Sequence, residues 1–98
     1  MNYYALFYWV VEDYMEKRPL YRANHLQYTQ AAQERGELVL GGAFSDPPDS
    51  ALLVFQAADK AVVEAFAQND PYVLNGLVQQ WEVRAWTVVI GTAYATTA

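Results

Sequence analysis

Cysteine is absent from this chain of 98 residues, and histidine occurs once. The first absence removes disulfides, thiolate nucleophiles and thiolate-held zinc or iron–sulfur centres. With one histidine and no two acids at ligand spacing around it, no metal site is expected. Positive charge is scarce too: six Lys and Arg stand against eleven Asp and Glu, for a net charge of −5. Lys17–Arg18 is the one adjacent basic pair. A phosphate backbone needs a denser cluster, so nucleic acid is not an expected partner.

Long apolar runs are missing as well. The apolar start, residues 3–11, is far shorter than the ~20 residues that span a bilayer. It has no basic residues before it and no small-residue cleavage site after it, so it reads as neither an anchor nor a secretory leader. A soluble, cytoplasmic protein in a reducing compartment, without a membrane partner, is the expectation. Gly41-Gly42 comes without a phosphate-loop lysine or a G-x-G-x-x-G pattern, so no dinucleotide cofactor is expected.

What is abundant is apolar surface: 54% of the residues are hydrophobic, 15% aromatic and only 17% charged. A chain this short builds one domain, which buries roughly 60–68% of the surface its unfolded form exposes. Part of that apolar supply is therefore expected at a subunit interface.

Residues 3–11 alternate as a strand with Tyr3, Ala5, Phe7, Trp9 and Val11 on one face and Tyr4, Leu6, Tyr8 and Val10 on the other. Residues 12–17 read as a polar connection. Pro19 suits a first helical turn, and the helix then runs to about Arg35 with Gly36 as its stop. Tyr21, His25, Tyr28 and Ala32 share one stripe of that helix. A short strand over residues 37–42, a loop over 45–49 and a strand over 51–56 follow. Asp59 caps a helix over 60–68, and Pro71 holds Asp70 out of helical geometry, where it can cap a further turn. A long strand over 80–90 carries Trp81, Val83, Trp86, Val88 and Ile90, with a tail from residue 91 to 98.

The order β-α-β-β-α-β is the ferredoxin-like split βαβ pattern of an α+β domain, occupying residues 1–90. Two helices cover one face of a four-stranded antiparallel sheet. With the first and last strands apolar on both faces, a second copy of the chain is the expected cover for the other, which makes the protein a homodimer.

Three segments carry a family resemblance. Glu16-Lys17-Arg18-Pro19 leading to Arg22 and His25-Leu26 resembles the E-K-R…R-x-x-H-L block of the YCII-like (YciI-like) proteins. The run from Gly36 to Ala43 is similar to their G-x-L-x-x-G-G-P stretch, and that from Gln68 to Leu77 to their D-P-Y-V segment. Val83 to Trp86 sits where such proteins have a closing strand and a basic residue. Ala43 departs from the family proline, which implies a less rigid turn, and the loop at Ser45 to Ser50 is shorter than in many relatives. The resemblance implies a dimeric α/β barrel and a His–Asp active site formed by His25 and Asp70.

Physical chemistry supplies roles for that pair: an imidazole shuttles protons near neutral pH, and a carboxylate fixes its tautomer. Each residue also has a plainer reading. His25 between tyrosines can be a packed helix residue bonded to a hydroxyl or carbonyl, and Asp70 a helix cap. Arg18 and Arg22, a turn apart, can clamp an anionic or carbonyl-bearing ligand or form surface salt bridges with Glu16 or the acidic loop. Tyr72 and Tyr8 can donate hydroxyls into a pocket or fill the core. Ser45 or Ser50 can complete a serine triad, but no G-x-S-x-G elbow supports one. Two functions follow: a cofactor-independent small-molecule enzyme of lyase or isomerase type, or a non-catalytic ligand-binding or accessory dimer.

Overall fold

A computed structural model describes residues 2–91; the expected tail, from residue 92 onward, lies outside the described residues. The elements are β1 (Asn2–Val10), α1 (Tyr14–Glu34), β2 (Leu38–Ala43), β3 (Ser50–Ala57), α2 (Lys60–Asn69), α3 (Pro71–Leu74) and β4 (Val78–Trp86). The strands form one sheet in the order β2-β3-β1-β4, every neighbouring pair antiparallel. This is the ferredoxin-like α+β arrangement that the element order predicted. Among the described residues no helix is long and apolar enough to cross a membrane.

The core lies between the helices and one face of the sheet. Tyr4, Leu6, Tyr8 and Val10 of β1 join Leu53 and Phe55 of β3, Val83 of β4, and Val63, Phe66 and Ala67 of α2. Phe55 and Phe66 meet edge to face with ring centroids 4.8 Å apart. Local signals end the helices on time. Gly36 adopts φ 80°, its N–H bonds the Gln33 carbonyl, and Glu37 N–H reaches back to Ala32, a Schellman stop. Gly76, at φ 77°, closes α3 in the same way, through Leu77 N–H to Tyr72 O. At the start of α2, Asp59 accepts from Ala61 N–H at 3.0 Å.

Two expectations need correction. The first helix begins at Tyr14 rather than near Pro19, and the residues read as a connection form its first turns. Pro19 stands inside α1, where it removes one backbone hydrogen bond. Tertiary packing decides the start: Tyr14 is buried and sets its ring edge-on to Tyr72, 5.9 Å away.

The last strand also differs. It ends at Trp86, so Val88 and Ile90 are not part of the sheet. Cross-strand register places Gln80, Glu82, Arg84 and Trp86 opposite Trp9, Phe7, Ala5 and Tyr3. The β4 face turned away from the helices is therefore polar except for Trp86, not apolar on both sides. The apolar part of that open face belongs to β1, where Phe7 and Trp9 stack at 5.9 Å, and to Leu52 and Val54 of β3.

Phe55 is 1% exposed, and its ring holds α2 on the sheet. Phe55→Ala is expected to lower unfolding free energy by about 3–5 kcal/mol in urea titration, without loss of helical circular dichroism under native conditions.

Candidate active site

Asp70 is the pivot of the site, and the backbone explains its position. Pro71 follows it, so Asp70 takes an extended conformation (φ −65°, ψ 128°) between α2 and α3. Its Oδ1 accepts from Tyr72 N–H at 2.9 Å, capping α3. The carboxylate is completely buried. Two side chains from distant elements complete its shell. Tyr8 on the core face of β1 donates its hydroxyl to Oδ2 at 2.8 Å, and His25 in the middle of α1 places Nδ1 2.8 Å from Oδ1.

Three contacts thus converge on a group that only accepts when ionised. Tyr8 and Tyr72 N–H are donors, and the same logic makes His25 Nδ1 carry its proton. The neutral imidazole then presents its Nε2 lone pair, for which no partner exists among the described residues. The ring is also held flat against Tyr72, with centroids 3.8 Å apart and planes inclined by 8°. Stacking and the Asp70 bond together fix both tilt and rotation of the imidazole.

His25 lines a cavity of about 500 Å³ between α1 and the β2–β3 side of the sheet, within the usual size for a small-molecule site. Tyr8, Arg18, Arg22 and Tyr72 line it as well, so five of the expected site residues meet here. Ser45 does not. It lies in the exposed loop between β2 and β3 and contributes nothing to the cavity wall. Neither arginine pairs with Glu16; it is Lys17 that bonds an acid, Asp13, at 3.4 Å.

The wall also contains residues outside the expected set: Tyr14, Leu26, Thr29, Gln33, and the β2 residues from Leu38 to Ala43. Tyr14, Arg18, Arg22, His25, Thr29 and Gln33 recur at helical spacing. The stripe reaches Tyr14 only because the helix starts there; a start near Pro19 leaves Tyr14 in the connection. Arg18 lies over the Tyr14 ring at 6.0 Å.

The tyrosines are shifted in one direction. Burial first, then the charge of Asp70 and the bond to it, push the Tyr8 phenol far above its ordinary value. Burial pushes Tyr72 up to about 12, with Arg22 and Arg18 opposing. Its hydroxyl is shielded from solvent and has no hydrogen-bond partner among the described residues. Among the same residues, no cluster of three or more histidines and acids could hold a metal ion.

The model of the YCII-related domain matches residues 1–87. The chain belongs to that family. No curated protein matches it in sequence. Among solved structures, the YCII-related chain is similar to 5-chloro-2-hydroxyhydroquinone dehydrochlorinase (TftG) from Burkholderia phenoliruptrix AC1100, in complex with 2,5-dihydroxybenzoquinone. The TM-score is 0.74 at 20% identity, covering 86% of this chain and 92% of the other. A NIPSNAP family protein from Agrobacterium tumefaciens is similar at TM-score 0.55 and 14% identity, with 98% and 97% covered. An antibiotic biosynthesis monooxygenase matches at TM-score 0.55 and 14% identity, with 92% and 100% covered. At these identities the likeness is one of fold.

Tyr8→Phe should destabilise the YCII-related domain by about 1.5–3 kcal/mol at neutral pH, the value of a hydrogen bond to a charged group. The native state holds the protons of Tyr8 and Tyr72 more tightly than the unfolded chain does. Their contribution is therefore complete below about pH 10 and is lost as pH rises through the folded values. Urea midpoints should therefore fall as pH rises from about 10 towards about 12, and Tyr8→Phe should flatten that fall.

Proposed function

We propose that this protein is a cofactor-independent small-molecule enzyme in which His25 is the general acid/base and Asp70 its orienting carboxylate. The observation that carries the reading is the 2.8 Å contact between His25 Nδ1 and a fully buried Asp70, on the wall of a substrate-sized cavity. In the first step Nε2 takes a proton from the bound compound. Asp70 keeps the imidazole in the required tautomer and stabilises the imidazolium that forms. In the second step the imidazolium returns the proton to a different atom in an isomerisation; in an elimination the leaving group departs with the bonding electron pair, as chloride does, and the imidazolium gives its proton to solvent. A dehydrochlorinase among the structures of similar fold supports the elimination type.

Tyr8 serves this reading as a positioning residue, because its hydroxyl is committed to Asp70. The rival reading, a non-catalytic ligand-binding or accessory protein, draws on the same buried Asp70, whose capping of α3 is a structural role in itself. A cysteine-free chain of this kind suits the reducing cytoplasm. The working unit is a homodimer, with the stacked Phe7 and Trp9, Leu52 and Val54 covered by the same face of a second copy. The polar register residues of β4 then lie at the rim.

The test is turnover with 5-chloro-2-hydroxyhydroquinone and a panel of related hydroxylated rings, read as chloride release and as solvent deuterium incorporation. His25→Asn and Asp70→Asn are expected to lower the rate by about 100- to 10,000-fold, with unchanged circular dichroism for His25→Asn. No turnover by the wild type, with ligand still bound, would leave the binding-protein reading in place, and equal rates for wild type and His25→Asn would overturn the role given to His25. For the homodimer, sedimentation of the wild type should give twice the chain mass, and Phe7→Glu with Trp9→Glu should give the monomer. A monomeric wild type refutes the pairing.

A further inference from the structure

Charge is distributed unevenly around the cavity. The chain has eleven acidic residues and a net charge of −5, yet no acid lines the cavity, whereas Arg18 and Arg22 do. Among the described residues, neither guanidinium has a carboxylate partner. Beside them stands the Tyr72 hydroxyl, buried and without a hydrogen-bond partner, on a residue only 4% exposed. A buried hydroxyl left unsatisfied has lost its hydration without replacement, and two unpaired arginines in one cleft repel each other. All three groups are relieved by a single kind of occupant, an oxyanion. A guanidinium offers it paired N–H donors and the phenol adds a third.

The helix also sets the length of the compound. At a rise of 1.5 Å per residue, Arg22 precedes His25 by about 4.5 Å along the axis and Arg18 by about 10.5 Å. Arg22 and Arg18 thus stand about one and two turns before His25 on the same cavity wall, which leaves room for a ring between an oxyanion held by them and the imidazole. Tyr14, under Arg18, and Tyr72, stacked on His25, give that interval aromatic walls. We propose that the cavity takes a small planar organic anion, a carboxylate or an ionised ring hydroxyl. Its charged oxygen is bound by Arg18, Arg22 and the Tyr72 hydroxyl, and its reacting end lies at His25. This rests on the acid/base reading for the role of His25, but the anion subsite is testable without it.

The probes are 4-hydroxybenzoate and 4-hydroxybenzamide, which share a shape and differ in charge, titrated calorimetrically into the full-length protein. The carboxylate should bind saturably and the amide at least about 10-fold more weakly, with carboxylate affinity falling as salt is raised. Arg18→Gln and Arg22→Gln should each weaken the carboxylate by about 10- to 100-fold, as expected for losing a hydrogen bond between charged groups. Both positions are at least partly exposed, so folding should be preserved. Tyr72→Phe should weaken it by about 3- to 10-fold without lowering the melting temperature, because the hydroxyl has no partner to lose. His25→Asn should keep carboxylate affinity within about 3-fold. Equal affinity for amide and carboxylate, no saturable carboxylate binding at millimolar concentration, or full affinity in the arginine variants overturns the anion subsite. Each of these outcomes leaves the turnover test of His25 standing; loss of the turnover claim alone leaves the subsite.

Discussion

A carboxylate with no access to water survives inside a protein only when donors replace the hydration it has lost. At Asp70 those donors come from three directions: the phenol of β1, the imidazole of α1 and the first free N–H of α3. The contacts reach across 62 and 45 residues of chain. The electrostatic requirement of one side chain therefore ties a strand to both helical segments. Any arrangement that separated α1 from the α2–α3 junction would leave the charge uncompensated.

The same requirement organises the chemistry. Because Asp70 can only accept, it dictates which nitrogen of His25 holds the proton, and because Tyr72 stacks on the ring, it dictates where the other nitrogen faces. Preorganisation of this kind is what separates a histidine that happens to line a cleft from one that can exchange a proton at a defined point. The cavity wall adds an electrostatic bias of the opposite sign to the protein as a whole. An acidic molecule that keeps Arg18 and Arg22 in one cleft, with no acid among the residues lining it, concentrates positive potential there.

Much of this was legible in the residues. Element order followed from alternation, helix stripes and turn residues, and the three helix signals at Gly36, Asp59 and Asp70–Pro71 operate within a few residues of themselves. His25 and Asp70 were picked out by the family blocks, whose residues keep their order along the chain. Two readings went astray for related reasons. Pro19 is a sound first-turn signal, but the gain from burying Tyr14 against Tyr72 outweighs one lost backbone bond and starts the helix earlier. Trp86, Val88 and Ile90 continue an apolar pattern, but β4 pairs only as far as Trp86, opposite Tyr3 near the start of the antiparallel β1.

By itself the sequence determined the local grammar of this protein: the α+β element order, the caps and stops, and the absence of thiols and of a basic surface. It also placed Arg18, Arg22 and His25 on one helix. Tertiary structure alone decided that Tyr8 would spend its hydroxyl on Asp70, that Ser45 would stay out in its loop, and that β2 would wall the cavity. Caps and stripes depend on neighbours a turn away. A buried carboxylate and the cleft beside it depend on which distant surfaces exclude water together, and that is settled only when the helices close on the sheet.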